Sequence, residues 1–297
     1  MTRRIAGAAA VLLTAALLFL AACGRPRTED LTIPGARGEI PATLTMPDSF
    51  SGAAVVFCHG FTGNRQLDGH AEPLARALAD HGIASLAIDF AGSGQSTEPF
   101  TAYTPASMQQ DLDAAISYLV DSCGADPDRI GLLGHSMGGR AVTLALDDTV
   151  RAAALWAPAD NTGLDGLEFL DHTAEGRQAL WDAAVRDGSV DLPAWGVTVS
   201  REFFEQMAVT DPAACLRGYS GALLLAFTAG DAELLSTDTI DLTRTAAAQS
   251  EARLTDLTGE FEDATHNFTA LSGDADQDAE VRSRIEDATA DFFAEAL

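Results

Sequence analysis

The sequence predicts a single α/β domain built on a mostly parallel sheet, and three observations support this. Short, continuously apolar runs alternate along the chain with longer segments of helical spacing. The runs are apolar at every position, as expected of strands buried on both faces of a sheet. The chain has 297 residues, of which 47% are hydrophobic, and this is enough to form the buried core of such a domain. Together these features indicate a sheet covered by helices on both faces.

The elements follow in a regular order after an N-terminal hairpin. Residues 30–47 alternate polar and apolar side chains around Pro34 and Gly35, which predicts two antiparallel strands. Further strands are predicted at residues 53–58, 83–88, 130–133, 151–157, 222–228 and 251–257. Helices are predicted between them at residues 68–81, 107–120 and 137–146, with a final helix after the last strand.

One interval, residues 159–220, breaks this alternation because it is far longer than a single crossover requires. It has helical spacing at residues 174–186 and 202–208. We expect it to form a lid over the carboxyl edge of the sheet. Its large aromatic side chains either cover that edge or form the core of the lid, and both can hold at once. They are Phe169, Trp181, Trp195, Phe203 and Phe204.

Residues 134–138, Gly-His-Ser-Met-Gly, lie between the strand predicted at 130–133 and the helix that follows. This placement is typical of a nucleophile elbow, in which a strained turn exposes a serine hydroxyl. Side chains at Gly134 and Gly138 would collide with neighbouring backbone in such a turn. The pattern therefore predicts Ser136 as the nucleophile of a covalent mechanism.

A serine nucleophile needs a base, and the base needs an acceptor that orients its ring. Among six histidines, His266 follows the last predicted strand and so reaches the edge of the sheet that carries Ser136. The loop after residues 222–228 offers Asp231 and Glu233, in the required order of serine, acid and histidine. These two carboxylates alternate along the chain, so we expect only one of them to meet the imidazole.

Two backbone N–H groups are expected to hold the oxyanion of an acyl-transfer intermediate. One is the N–H of Met137, which follows the nucleophile at the positive end of its helix. The other is assigned to Phe61, in the loop 59–63 with sequence His-Gly-Phe-Thr-Gly. The remaining histidines are expected in glycine turns (His59, His135), at the surface or ends of the first helix (His70, His81) and in the lid (His172).

These segments resemble, in order, the anchors of the α/β-hydrolase superfamily, in particular the serine esterases related to cinnamoyl and feruloyl esterases and to lysophospholipase-like hydrolases. The resemblance spans roughly residues 40–295. It implies an α/β-hydrolase fold: a mostly parallel eight-stranded sheet, helices on both faces, and a helical lid inserted between strands 6 and 7. It also implies a carboxylic-ester substrate and no cofactor. The matching segments are residues 59–64, 89–96, 134–139, the Gly230 loop and residues 266–268.

The resemblance also bears on the triad acid. In that family the acid commonly stands three residues after the glycine of its loop, and Glu233 occupies this position here. Ala229 stands where the family often has a histidine, so the match in this loop is incomplete. The resemblance implies Glu233 as the acid, with Asp231 as the alternative off the family register.

The N-terminus predicts a targeting segment. Arg3 and Arg4 precede the apolar residues 5–22, and residues 20–23, Leu-Ala-Ala-Cys, resemble the bacterial lipobox. That resemblance implies cleavage before Cys23 and attachment of lipid to its sulfur. The alternatives are an uncleaved membrane anchor and an ordinary apolar helix that contains a buried cysteine.

The lipobox interpretation divides the chain into a signal peptide over residues 1–22, a tether over 23–29 and a hydrolase domain over 30–297. The body is then expected outside the cytoplasm, held on the bacterial cell membrane by its lipid anchor. The mature chain retains three further cysteines, and in an oxidising compartment one pair could form a disulfide. They are Cys58, Cys123 and Cys215.

Composition narrows the classes of partner. The chain carries 44 acidic and 18 basic residues, a formal charge of −26, and every basic residue is arginine. A surface of this sign argues against nucleic-acid binding, which needs cationic side chains to displace phosphate counterions. There is no C-x-x-C pattern in the sequence, which argues against a structural zinc site.

The sequence therefore predicts a serine esterase that acts on a small-molecule ester without a metal or other cofactor. Two alternatives stay open. A serine peptidase acting on short peptides would need charged lid residues to hold a peptide terminus. A non-catalytic surface lipoprotein would use the same fold to bind a ligand. The charged lid residues available to a peptidase are Arg177, Arg186, Arg201 and Glu202.

Overall fold

The computed structural model describes residues 25–297, which form ten strands and eight α-helices. The strands are β1 (Arg27–Pro34), β2 (Glu39–Met46), β3 (Ala54–Cys58), β4 (Ala84–Ile88), β5 (Ile130–His135), β6 (Ala152–Trp156), β7 (Ser189–Leu192), β8 (Val197–Ser200), β9 (Ala222–Ala226) and β10 (Arg253–Asp256). The helices are α1 (Ala71–Asp80), α2 (Pro105–Asp121), α3 (Met137–Leu144), α4 (Ala174–Asp187), α5 (Arg201–Met207), α6 (Pro212–Gly218), α7 (Thr237–Gln249) and α8 (Ala275–Ala296).

The main sheet has eight strands in the order β1-β2-β4-β3-β5-β6-β9-β10. Strand β2 pairs antiparallel with β1 and β4, whereas the other pairs of the main sheet, which join β4, β3, β5, β6, β9 and β10, are parallel. Every residue of β3, β4, β5, β6 and β9 is buried, which explains why the sequence shows continuous apolar runs there. The eight-stranded, mostly parallel α/β fold predicted from the sequence is confirmed.

Strand β1 begins earlier than predicted. It starts at Arg27, within the segment 23–29 assigned to the tether, and Arg27 lies opposite Met46 of β2. The first four residues of β1 are exposed because β1 is the outer strand of the sheet, so they give no hydrophobic signal. The predicted signal peptide and Cys23 lie outside the described residues. Within residues 25–297, no helix has both the length and the apolar character needed to cross a membrane.

Helix α1 also differs from its prediction, since it begins at Ala71 rather than near residue 68. The preceding residues form a short 3₁₀ turn in which Leu67 and Asp68 have positive φ angles of 49° and 53°. An α-helix cannot pass through such residues. The turn brings this segment to the edge of the cavity described below.

The long interval after β6 forms the predicted lid, between the sixth and seventh strands of the main sheet. It contains α4, α5 and α6, but it is not purely helical. Strands β7 and β8 form an antiparallel hairpin, which turns at Gly196 with a φ of 67°. The Thr198 hydroxyl donates to Asp191 across the hairpin, at 2.6 Å. The alternating residues of this segment thus form a small sheet within the lid.

Candidate active site

Ser136 occupies the sharp turn between β5 and α3. Its backbone is strained, with φ 54° and ψ −119°. A Cβ atom at Gly134 would lie 2.3 Å from the carbonyl oxygen of Gly138, and one at Gly138 would lie 2.2 Å from that of Cys58. Both distances are far below van der Waals contact, so both positions require glycine. The structure therefore shows the crowded turn that the sequence pattern predicts.

Asp231, rather than Glu233, contacts His266. Asp231 is fully buried, and its Oδ1 accepts a hydrogen bond from His266 Nδ1 at 2.6 Å. Its Oδ2 accepts from the N–H of Thr228, also at 2.6 Å. Glu233 is exposed at the end of the same short 3₁₀ helix, Ala229–Glu233. Residues two apart on a helix of three residues per turn point in different directions, so the assignment of Glu233 is corrected to Asp231.

Backbone hydrogen bonds join the loop of Asp231 to the loop of His266. The N–H of Ala229 donates to the carbonyl of Phe261 at 3.1 Å, and that of Gly230 donates to the carbonyl of Ala264 at 3.0 Å. The acid and the histidine therefore sit on neighbouring, mutually bonded segments at the carboxyl edge of the sheet. Because Nδ1–H is directed at Asp231, the lone pair of the imidazole is on Nε2.

Ser136 and His266 line the same cavity, which has a volume of about 230 Å³. Among the described residues, no hydrogen bond directly joins the Ser136 hydroxyl to His266. The chain supplies the two residues from positions 130 apart, yet the fold brings both to one cavity. The rest of the lining mixes polar and apolar side chains. The polar ones include Thr62, Asn64, Asp68 and Asn267, and the apolar ones are Phe61, Leu67, Phe169, Trp195 and Leu234.

The backbone N–H groups of Phe61 and Met137 have no hydrogen-bond partner within residues 25–297. Met137 follows the nucleophile as the first residue of α3. The loop of Phe61 lies beside the nucleophile, since a Cβ atom at Gly60 would stand 3.0 Å from Ser136 Cβ. Both predicted oxyanion donors are thus adjacent to Ser136 and available to a ligand.

His59 fixes the orientation of the peptide that carries the Phe61 N–H. Its Nδ1–H donates to the Gly60 carbonyl at 2.8 Å, and the N–H of Gly63 donates to the same oxygen at 3.1 Å. In a trans peptide the N–H points opposite to the carbonyl, so these bonds direct the Phe61 N–H away from His59. His59 Nε2 accepts from the N–H of Phe90 at 3.1 Å, and burial lowers the pKa of His59.

Two further histidines contact the loop of His266. His135 Nε2 donates to the carbonyl of His266 itself, at 2.9 Å. His70 Nε2 donates to the carbonyl of Asn267, at 3.0 Å. His70 lies at the end of α1, as its N-cap residue, which is one of the two expected positions; it is not at the surface, since it is only 2% exposed. The sequence gives no signal for either contact, because both partners lie more than a hundred residues away.

The lid supplies part of the apolar wall. The rings of Phe169 and Trp195 lie 5.1 and 5.2 Å from the ring of Phe61, measured between centroids. Phe203 and Phe204 are fully buried within the lid and its base. Both interpretations of the lid aromatics therefore hold, because some cover the site and others form a core.

Arg140 ties the base of the lid to the elbow. It lies one turn after Ser136 on α3 and is 1% exposed. Its Nη1 donates to the carbonyls of Ala159 and Asn161, at 2.8 and 2.6 Å, and its Nη2 donates to the Thr210 hydroxyl. Burial lowers the pKa of Arg140 to about 10, so the side chain remains a cation near neutral pH.

Three arginines that could have held a peptide terminus are engaged elsewhere. Each pairs with a carboxylate of the lid, and none lines the cavity. The pairs are Arg177 with Asp165 (2.6 Å), Arg186 with Asp187 (2.7 Å) and Arg201 with Glu205 (3.0 Å). Within residues 25–297, no group of three or more His, Cys, Asp or Glu side chains is arranged to hold a metal ion. The three cysteines of this part of the chain are all unpaired.

The sheet order, the strained serine after β5 and the histidine after the last strand define an α/β hydrolase. Residues 55–284 match the Alpha/beta hydrolase family, and the chain belongs to that family. A curated relative, an uncharacterized 31.7 kDa protein in the traX-finO intergenic region of Escherichia coli, is 30% identical over 101 residues. That match covers 34% of this chain and 35% of the relative, so the chain spans about a third of the relative's length.

Two solved structures are similar over nearly the whole fold. Est1E from Butyrivibrio proteoclasticus with bound ferulic acid superposes with a TM-score of 0.68 at 20% identity, covering 90% of this chain and 98% of Est1E. The esterase domain of a Rhodothermus marinus protein has a TM-score of 0.61 at 21% identity, covering 91% of this chain and 98% of that domain. At such identities the similarity shows the shared fold.

Proposed function

We propose that the protein is a serine hydrolase that cleaves carboxylic esters through an acyl-enzyme. One observation carries the proposal. A buried carboxylate, Asp231, holds the Nδ1 side of His266 in a cavity that Ser136 also lines. A carboxylate, an imidazole and a hydroxyl in this order are the groups that activate a serine nucleophile.

Each group has a defined task in the proposed reaction. The Ser136 oxygen attacks the ester carbonyl carbon and its proton passes to His266 Nε2. The N–H groups of Phe61 and Met137 stabilise the resulting oxyanion. The intermediate then collapses: the bond to the alcohol oxygen breaks, and that oxygen takes the proton from Nε2. Asp231 stabilises the imidazolium throughout, and water releases the acid from Ser136 by the same steps.

The nature of the cavity supports a small neutral ester. Its apolar side chains, of which Phe169 and Trp195 come from the lid, suit an apolar acyl or alcohol group. The names of the structural neighbours, an esterase domain and a protein with bound ferulic acid, agree with this class of substrate. The pairing of three lid arginines with lid carboxylates favours an ester substrate over the peptidase alternative.

A fluorophosphonate probe tests the proposal directly, because it labels only an activated serine. Wild-type protein should be labelled at Ser136, and Ser136→Ala should not be labelled. Ser220→Ala removes an exposed serine outside the cavity and should label as the wild type does. Absence of labelling and of ester hydrolysis in the folded wild type would favour the ligand-binding alternative.

A substrate panel tests the class of bond. Chromogenic esters of graded acyl length should be hydrolysed, whereas the matched amino-acid amides should be cleaved far more slowly. Faster cleavage of the amides would restore the peptidase alternative. The pattern over acyl lengths then reports how much of the apolar wall the acyl group occupies.

We further propose that residues 1–22 are a lipoprotein signal peptide and that lipid on Cys23 anchors the domain outside the cytoplasm. The support is the sequence pattern of residues 20–23. An alkyne analogue of palmitate should label the wild-type protein in the membrane fraction of a bacterial host, and Cys23→Ala should lose both label and cleavage. Retention of residues 1–22 in the unlabelled wild type would point to the uncleaved anchor.

A further inference from the structure

We propose that His135 and His70 are positioning residues for His266, holding the two successive carbonyl groups of the loop that carries it. The inference rests on the proposed function and extends it to residues outside the triad. Neither histidine is proposed to exchange a proton with the substrate. Their effect is to fix the backbone from which the imidazole projects, and so to limit where Nε2 can lie.

His135 holds the first of these carbonyls and is suited to do so as a neutral donor. It precedes the nucleophile in the chain, is 7% exposed, and its Nε2–H donates to the His266 carbonyl at 2.9 Å. Its ring centroid is 4.8 Å from that of His266. Burial, and next the charge of His266, lower the pKa of His135 to about 3. A neutral His135 adds no second positive charge when His266 becomes an imidazolium.

His70, the N-cap residue of α1, holds the second carbonyl, that of Asn267. Its Nε2 lies 3.0 Å from the Asn267 carbonyl, and its Nδ1 lies 2.7 Å from Glu286 Oε1 on α8. A backbone carbonyl only accepts, so Nε2 carries the proton that holds the loop of His266. The contact of Nδ1 with Glu286 anchors the opposite side of the ring.

The surroundings of His70 restrict its movement. The edge of its ring packs against Trp156, with 5.4 Å between centroids. The Trp156 indole N–H in turn donates to the Thr289 hydroxyl of α8 at 3.1 Å. His70 is therefore held by packing against Trp156 and by its contact with Glu286, in addition to its bond to the loop. This is the arrangement expected of a rigid support around a catalytic group.

Together these contacts fix the His266 loop at three neighbouring points. Asp231 holds the ring at Nδ1, His135 holds the carbonyl of the same residue, and His70 holds the next carbonyl. Without the two carbonyl contacts, the ring would keep its tautomer through Asp231, but its backbone could shift. A displacement of about 1 Å in a catalytic group can cost on the order of 100-fold in rate.

The test compares substitutions to Gln and to Asn, whose side-chain amide groups lie at different distances from the backbone. The amide nitrogen of Gln is as many bonds from Cβ as Nε2 of His, and that of Asn is as many as Nδ1. His135→Gln and His70→Gln therefore retain a donor for the loop carbonyls, whereas His135→Asn and His70→Asn do not. We expect the Asn variants to lose on the order of 100-fold in kcat with little change in KM, and the Gln variants to retain most of the rate.

Three measurements separate positioning from general damage. Thermal unfolding shows whether each variant folds. His81→Gln and His81→Asn serve as matched controls, since His81 is exposed near Asp291 of α8 and does not touch the loop. Both should keep wild-type kcat. Finally, in a His266→Ala background the Asn substitutions should cause no further loss, because a positioning residue acts only through the imidazole.

The outcomes are distinct from those for the proposed function. If folded wild type neither hydrolyses esters nor reacts with fluorophosphonate, the proposed function fails first. If wild type is active, equal kcat losses for Gln and Asn at both positions overturn the positioning roles. A folded Gln variant with a 100-fold loss does the same, so the proposal is tested even where an Asn variant does not fold.

Discussion

The two walls of the cavity are built by different kinds of interaction. The wall that carries His266 is held by directional hydrogen bonds, one accepted by Asp231 and two donated by His135 and His70, and all three residues are buried. The wall formed with the lid is held by contacts among aromatic rings, around Phe61 and Trp195. Hydrogen bonds fix angles and distances, whereas apolar contacts fix mainly volume. The first wall therefore suits chemistry, and the second suits recognition of an apolar group.

This difference predicts which kinetic constant, kcat or KM, a substitution in each wall should change. Changes in the hydrogen-bonded wall should lower kcat, because they misplace groups that act in the transition state. Changes in the aromatic wall should mainly raise KM, because they remove binding that the ground state and transition state share. Arg140 ties the base of the lid to α3, the helix that follows Ser136.

The largest expected effect comes from the acid. Asp231→Asn should lower kcat by about 10⁴-fold, since an amide at this position no longer stabilises the imidazolium or the required tautomer. Glu233→Gln is the matched control two residues away and should change kcat little, because Glu233 is exposed. Steady-state hydrolysis of one chromogenic ester measures both. Similar losses in the two variants would contradict the assignment of Asp231.

A smaller effect is expected in the aromatic wall. Trp195→Ala should raise KM for an aryl or long-chain ester by about tenfold and leave kcat largely intact, because it removes apolar contact with the substrate. Trp181→Ala is the control, since Trp181 is a half-buried lid residue that does not line the cavity. It should affect stability rather than KM. A fall in kcat at constant KM for Trp195→Ala would erase the distinction between the walls.

The smallest effect on activity is expected outside both walls, at Asp111. Burial raises the pKa of this carboxyl from 3.8 to about 6. The folded protein thus binds the proton more tightly than the unfolded chain, and this contribution to stability is lost as pH rises from about 4 through 6. Asp111→Asn should remove this loss of stability, on the order of 3 kcal/mol, and leave kcat unchanged.

Denaturant unfolding of wild type and Asp111→Asn at several pH values measures that contribution. The difference between the two proteins isolates Asp111 from the many other carboxylates. The variant should gain stability relative to wild type above pH 6 and show little advantage near pH 4. A difference that does not vary with pH would show that Asp111 does not titrate differently in the folded state.

Much of this fold could be predicted because its signals are local. The buried parallel strands are apolar at every residue, and the elbow at Ser136 needs glycines at fixed positions around it. The start of β1 could not be predicted, because an outer strand of exposed polar residues has no apolar pattern. The hairpin of β7 and β8 was likewise not predicted, because the sequence of the lid showed only helical spacing.

The site was predicted less completely. Ser136 and His266 follow recognisable strands, so their shared edge could be inferred. The acid could not, because the choice between Asp231 and Glu233 depends on a 3₁₀ turn whose direction the spacing does not encode. The roles of His70 and His135 depend on contacts 197 and 131 residues away along the chain. Such contacts exist only after the sheet and α8 have assembled.

The pairing of β1 also determines the edge of the sheet at which the chain enters the domain. Arg27 lies opposite Met46, and β2 runs antiparallel to β4 with Thr45 opposite Ser85, near the amino end of β4. Residue 25 therefore leaves the domain at the amino edge of the parallel strands, and the cavity opens at the carboxyl edge. Under the proposed lipid anchor at Cys23, the domain would therefore present its cavity to solutes in the surroundings, on the edge of the sheet away from the bilayer.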